Sequence, residues 1–167
     1  MSSPLRALRH RYLQRRAPDR GTVLARSIQR LFRSRAPGQR SMLWTDAIYA
    51  WDNERWSAEE PYLEEVVRAA EHTRGPIREC GSGLTTLLMA PVAARRGVQI
   101  PALENNPAWH ARVTAAIRQF GLSNVTVHLA PLRDFGEFDW YDAPLARLPN
   151  DFGLVVCDGP PAGGRGG

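Results

Sequence analysis

Residues 77–88 read IRECGSGLTTLL. A short strand-like start ends in two glycines one residue apart, Gly81 and Gly83, and a helix-like stretch follows. Strand, glycine turn and helix in that order bring a backbone close to a nucleotide-like ligand. Glycine permits the turn and the close approach. The helix start offers free N–H groups and the positive end of its dipole.

Outward from this stretch the chain alternates. The pattern predicts a strand at 77–80, a helix at 84–96, a strand at 98–104 and a helix at 107–120 with Gly121 behind it. Strands VTVHLA (125–130) and FGLVVCDG (152–159) follow. Alternation at these lengths predicts an α/β fold: a Rossmann-like parallel sheet with helices on both faces. Upstream, MLWTDAIYAWDNERW (42–56) is rich in aromatic residues, and Ser57 with Glu60 reads as a capping box ahead of a helix through about Ala70.

An N-terminal helical extension precedes these elements. Leu5, Leu8 and Tyr12, then Leu24, Ile28, Leu31 and Phe32, recur at helical spacing, and APDRG (17–21) splits them into two helices. The expectation is that this apolar stripe packs on the domain. RAPG (35–38) reads as a linker. The organisation expected is a basic helical extension (1–40), a helical cap segment (41–75) and a partial Rossmann-like domain (76–167).

Charge is unevenly divided. Residues 1–40 hold 11 Arg against one acid, Asp19, a net of +10, whereas residues 41–167 hold 11 Arg against 16 acids, a net of −5. The high basicity belongs to the extension, which is suited to nucleic acid or an anionic membrane surface. No apolar run reaches the roughly 18 residues of a membrane span, and Met1–Arg16 lacks the apolar core of a signal peptide. Cys80 and Cys157 are too few for a disulfide framework and read as buried packing thiols. A cytoplasmic address is expected.

In an open parallel sheet the ligand lies beyond the carboxyl ends of the strands. Glu104 ends the second strand, 23 residues after Gly81, a spacing suited to a carboxylate that accepts ribose hydroxyls. A dinucleotide fingerprint requires a third glycine where Thr86 stands, and Glu79 would repel a pyrophosphate while attracting a cationic ligand.

These residues resemble the class I S-adenosylmethionine-dependent methyltransferases. Glu79, Gly81 and Gly83 match that family's acid–x–Gly–x–Gly turn, Glu104 in ALENN its acid after the second strand, and Asp158 in LVVCDGPP the acid after the fourth. FGLSNVTVHLAP (120–131) is similar to its helix-to-strand passage, and the resemblance spans about residues 76–161. It implies that Gly81, Ser82 and Gly83 pass the methionyl part of S-adenosyl-L-methionine, with Glu79 facing the amino group through water or backbone. Glu104 would hold the ribose, and the adenine would sit near Leu132. Where the family often has Gly-Asp-Ala, this chain has APLRD, so the resemblance does not extend to Asp134. Asp158 would lie near the methyl group. The reaction implied is methyl transfer to an unidentified acceptor, with no assigned catalytic residue.

Four features depart from that pattern. Arg78 lies inside the first strand, Pro91 inside a helix and Pro101 inside a strand expected to be central, where a proline lacks the ladder donor. Only nine residues follow Asp158. The expectation is therefore a sheet incomplete at the C-terminus, ending in an exposed edge strand, and a chain inactive through truncation. The rivals are a nicotinamide-dependent oxidoreductase and a non-catalytic module whose Arg-rich arm binds nucleic acid.

Overall fold

The computed structural model describes residues 4–33, 41–52 and 58–160. In chain order these form α1 (Pro4–Arg16), α2 (Arg20–Arg33), α3 (Ser41–Trp51), α4 (Glu60–His72), β1 (Ile77–Cys80), α5 (Leu84–Ala94), β2 (Ile100–Glu104) and α6 (Pro107–Gln119). The strands β3 (Val125–Leu129), β4 (Leu132–Asp134), β5 (Asp139–Tyr141) and β6 (Leu154–Cys157) complete the order.

Four strands make a parallel sheet in the order β3-β2-β1-β6. The chain steps outward from β1 to β3 through α5 and α6, then returns to the far side of β1. The order therefore reverses beside β1, and the crevice at such a reversal is where open α/β sheets bind ligands.

Strand side chains alternate between faces. Ile77, Ile100, Val125 and Val156 join a core that takes in residues of all six helices, from Leu13 to Ile117. Cys80 and Leu103 point the other way, into a smaller cluster with Ala130, Tyr141 and Leu148. That second face carries the antiparallel β4–β5 pair and a loop, rather than a packed helix, among the described residues. The hairpin is not visible in the sequence pattern.

Local signals explain several helix ends. Asn106 caps α6 by accepting from the N–H groups of Ala108 and Trp109 (2.9 and 3.1 Å), with Pro107 in the first turn. Gly121, at φ +65°, follows the end of that helix. The side chain of Asp19 accepts from Thr22 N–H at 2.7 Å and starts α2. The expected capping box at α4 differs. Ser57 lies outside the described residues, Glu59 occupies the cap without a side-chain bond, and Glu60 instead meets Arg6 (2.7 Å) and Thr45 (2.6 Å). The 35–38 linker also lies outside the described residues.

The three unusual residues are accommodated. Arg78 stacks its guanidinium over the Phe152 ring at 4.7 Å, on the second face. Pro91 is buried within α5, which continues to Ala94 without the N–H that Leu87 carbonyl would have accepted. Pro101 makes no bulge, since β2 pairs with β3 in unbroken register. Ile100 N–H turns toward β3, bonding Asn124 carbonyl at 2.8 Å, so the Pro101 nitrogen faces β1. The β1–β2 register begins one residue later, at Glu79–Ala102, so the missing donor falls at the margin of that ladder.

The extension packs differently from its apolar spacing. Leu13, Val23, Leu24, Ile28 and Leu31 enter the main core, but Leu5, Leu8, Tyr12 and Phe32 are exposed. Acids of the body hold it in place. Arg6 pairs with Glu60, Arg9 with Asp46 (2.7 and 2.9 Å) and Arg20 with Asp52 (2.9 Å). Part of the charge division read from the sequence is thus matched inside the fold. No helix among the described residues is long and apolar enough to cross a membrane.

Candidate cofactor site

The turn after β1 needs glycine at one position for two reasons. Gly81 has φ +90°, and a Cβ there would lie 3.0–3.1 Å from the backbone of Asp158 and Gly159. Gly83 is different: its backbone is extended, and a Cβ would meet only Trp109 Nε1, at 3.9 Å. The fold itself does not demand glycine there, and the approach to the turn is open on that side.

Two buried acids flank this turn. Glu79 is fully buried on β1 and accepts from both threonines of α5: Thr85 Oγ1 donates to Oε1 and Thr86 Oγ1 to Oε2, each at 2.5 Å. Thr86 Oγ1 in turn accepts Gly83 N–H at 2.8 Å, which is the backward half of a capping box. Burial pushes the Glu79 pKa up to about 8. The two threonine bonds oppose that rise, and nearby Asp158 and Glu104 add to it. Thr86, which stands where a dinucleotide turn has glycine, therefore joins the acid to the turn.

Glu104, at the end of β2, is buried and holds the turn from the other side. Its Oε2 accepts Ser82 N–H (3.2 Å) and Ser82 Oγ–H (2.9 Å), and its Oε1 accepts Asn106 N–H (2.9 Å). A carboxylate offers about four acceptor positions, so three are used and about one remains. Trp109 Nε1 donates to Ser82 carbonyl at 2.7 Å. Its ring meets Trp51 edge to face at 5.5 Å, and the Arg112 guanidinium lies over both rings at 4.5 and 4.8 Å. Through these contacts α3 and α6 support the turn.

The chain leaving β6 closes a third side. Asp158 N–H bonds Cys80 carbonyl at 2.8 Å, and a side chain at Gly159 would meet Tyr141 hydroxyl at 2.6 Å. Asp158 is exposed as a residue, yet the protein around its carboxyl raises its pKa by desolvation. The Tyr62 hydroxyl donates to Cys157 carbonyl at 3.4 Å, and its pKa is raised by burial and then by Asp158 and Glu79. Cys80 is buried, with its thiol pushed up to about 12 by burial and by Cys157. Cys157 itself is exposed on the edge strand β6, contrary to the expectation of two buried thiols.

The structure thus gathers Glu79, Gly81, Ser82, Gly83, Glu104 and Asp158 at the carboxyl ends of β1, β2 and β6. Leu132 pairs with Tyr141 and packs on the second-face cluster instead. Asp134 sits in the β4–β5 hairpin, where its Oδ1 accepts Gly136 N–H at 2.6 Å. Four contributors escaped the sequence reading: Thr85, Asn106, Trp109 and Tyr141. The Asn-Asn-Pro run carried a cap signal for Asn106, whereas nothing local pointed Trp109 at Ser82.

No protein-family model matches the sequence, and no curated protein does. Among solved structures, the chain shares its fold with an SAH-bound methyltransferase of Podospora anserina, PaMTH1, with a TM-score of 0.53 at 18% identity. The match covers 75% of this chain and 50% of that one, so the chain spans about half the length of its neighbour. The fold is therefore the Rossmann-like α/β type that this methyltransferase also has.

Proposed function

We propose that the chain binds S-adenosyl-L-methionine at the turn after β1 and serves methyl transfer to an acceptor not yet identified. The observation that carries this reading is the pair of buried acids around a glycine turn at the reversal of strand order. The residues fit the cofactor chemically. Gly83 leaves the turn open to close approach, and Glu104 keeps acceptor capacity for a ribose hydroxyl.

When bound, the cofactor supplies an electrophilic methyl group on a sulfonium. The chain's part is placement, since such a transfer depends mainly on alignment of nucleophile and leaving group. Glu104 would accept from the ribose while keeping Ser82 in position. Glu79 would act through Thr86, setting the Gly83 amide. Gly81, Ser82 and Gly83 would line the methionyl part, and Asp158 would stand beside the reacting end. Leu132 fits an adenine contact only from the second-face side. A cytoplasmic address belongs to the same proposal.

Calorimetric titration with S-adenosylhomocysteine and, separately, with NAD tests it. Saturable binding of the first alone is expected; binding of NAD alone, or of neither, would overturn it.

A further inference from the structure

The outer face of α1 has no place in the cofactor reading. Leu5, Leu8 and Tyr12 follow one another at three- and four-residue intervals, so they share one side of the helix. They are 64%, 54% and 51% exposed. The neighbouring side, about 100° round the helix, is fixed inward: Leu13 is buried, and Arg6 and Arg9 are tied to Glu60 and Asp46. The helix thus carries apolar residues on two faces, and only one of them is used by the fold.

The charge on α1 itself has a single sign. α1 contains no acid. Arg11, Arg15 and Arg16 are exposed, and no acid among the described residues pairs with them. Arg11 lies between Leu8 and Tyr12 in sequence, and Arg15 and Arg16 follow one turn beyond. Tyr12 carries the Arg9 guanidinium 5.3 Å from its ring centroid, which holds the ring while the residue stays half exposed.

We propose that this face of α1 lies on an anionic phospholipid bilayer, with Leu5, Leu8 and Tyr12 entering the interface and Arg11, Arg15 and Arg16 meeting the lipid phosphates. Helices that rest in the plane of a membrane combine these two elements: apolar area to bury and cationic side chains for anionic headgroups. A nucleic acid would engage the arginines but has nothing to offer two leucines. The proposal stands apart from the cofactor reading and needs no membrane span.

The test is co-sedimentation of the full chain with vesicles of phosphatidylcholine alone and of phosphatidylcholine mixed with phosphatidylglycerol. Binding to the mixed vesicles at low salt, weakened by added salt and much weaker on phosphatidylcholine alone, is expected. Leu5→Ser with Leu8→Ser should lower the partition coefficient about tenfold. Replacing Arg11, Arg15 and Arg16 by Gln should lower it on the order of a hundredfold, at about fivefold for each arginine. All five positions are exposed, so unchanged thermal melts should accompany both variants.

Absence of binding to the mixed vesicles at low salt would overturn the proposal. So would binding that the leucine variant keeps in full, since the face would then act by charge alone. Self-association abolished by the leucine changes, without vesicle binding, would assign the face to a second copy. RNA binding that displaces the vesicles and ignores the leucine changes would assign it to nucleic acid.

Discussion

The two sides of the glycine turn use the same kind of residue in opposite ways. On one side Glu79 is sealed, with each carboxylate oxygen taken by a threonine hydroxyl, and its pKa is raised to about 8. On the other, Glu104 braces the turn through Ser82 and Asn106 yet keeps room for another donor. One acid shapes the turn from behind, and the other shapes it while keeping an acceptor position to spare. A pair of acids flanking a glycine turn is therefore not two copies of one function.

The largest expected effect separates the acids by pH. The Glu79 carboxyl holds its proton more tightly folded, near 8, than at its ordinary 4.5. The folded state therefore binds more protons between these values, and stability falls as pH rises through that window. The slope is at most about 1.4 kcal/mol per pH unit, and Asp158, also raised, adds to it with the same sign. Thermal melts across this range should show the decline, and Glu79→Gln should flatten it. A decline left intact by that change would end the contrast between the two acids.

Next comes the turn that both acids hold. Gly81→Ala should cost about 3 kcal/mol, because φ +90° and three backbone contacts at 3.0–3.1 Å act together. Gly83→Ala should cost about 1 kcal/mol or less, given its extended backbone and open surroundings. Denaturant unfolding of the pair measures both, and equal costs would contradict the geometry.

Glu104→Gln should weaken S-adenosylhomocysteine about thirtyfold by calorimetry, as expected for one charge-assisted bond of about 2 kcal/mol. Among the threonines, Thr86→Val should destabilise by about 1–2 kcal/mol and Thr85→Val by about 1 kcal/mol, since only Thr86 also serves Gly83 N–H. Ser82→Ala should be smallest, at about 0.5–1 kcal/mol, because its backbone N–H remains on Glu104.

Much of this was legible in the sequence, for identifiable reasons. The strands around Gly81 and the two helices after it announce themselves by period, by the Gly81 turn and by Gly121 behind the second helix. The β4–β5 pair does not, because three-residue strands such as Leu132–Asp134 are too short to show alternation. Leu5, Leu8 and Tyr12 have helical spacing, but spacing alone cannot say which side faces inward when Leu13 offers another apolar side. Arg6 and Arg9 settle the matter through acids more than thirty residues away. At the site, glycines and acids are recognisable by position. Thr86 looks like a failed glycine until its hydroxyl is seen between Glu79 and Gly83, and Trp109 reaches Ser82 across 27 residues.

The Trp109 contact has an optical consequence. Its indole N–H is held by a carbonyl of the turn, its ring lies against Trp51, and the Arg112 cation is fixed over both. Indole emission responds to the polarity and charge around the ring. A ligand that shifts Ser82 moves the partner of that N–H, so the chain carries an intrinsic fluorophore wired to its glycine turn, and its own emission can report what enters there.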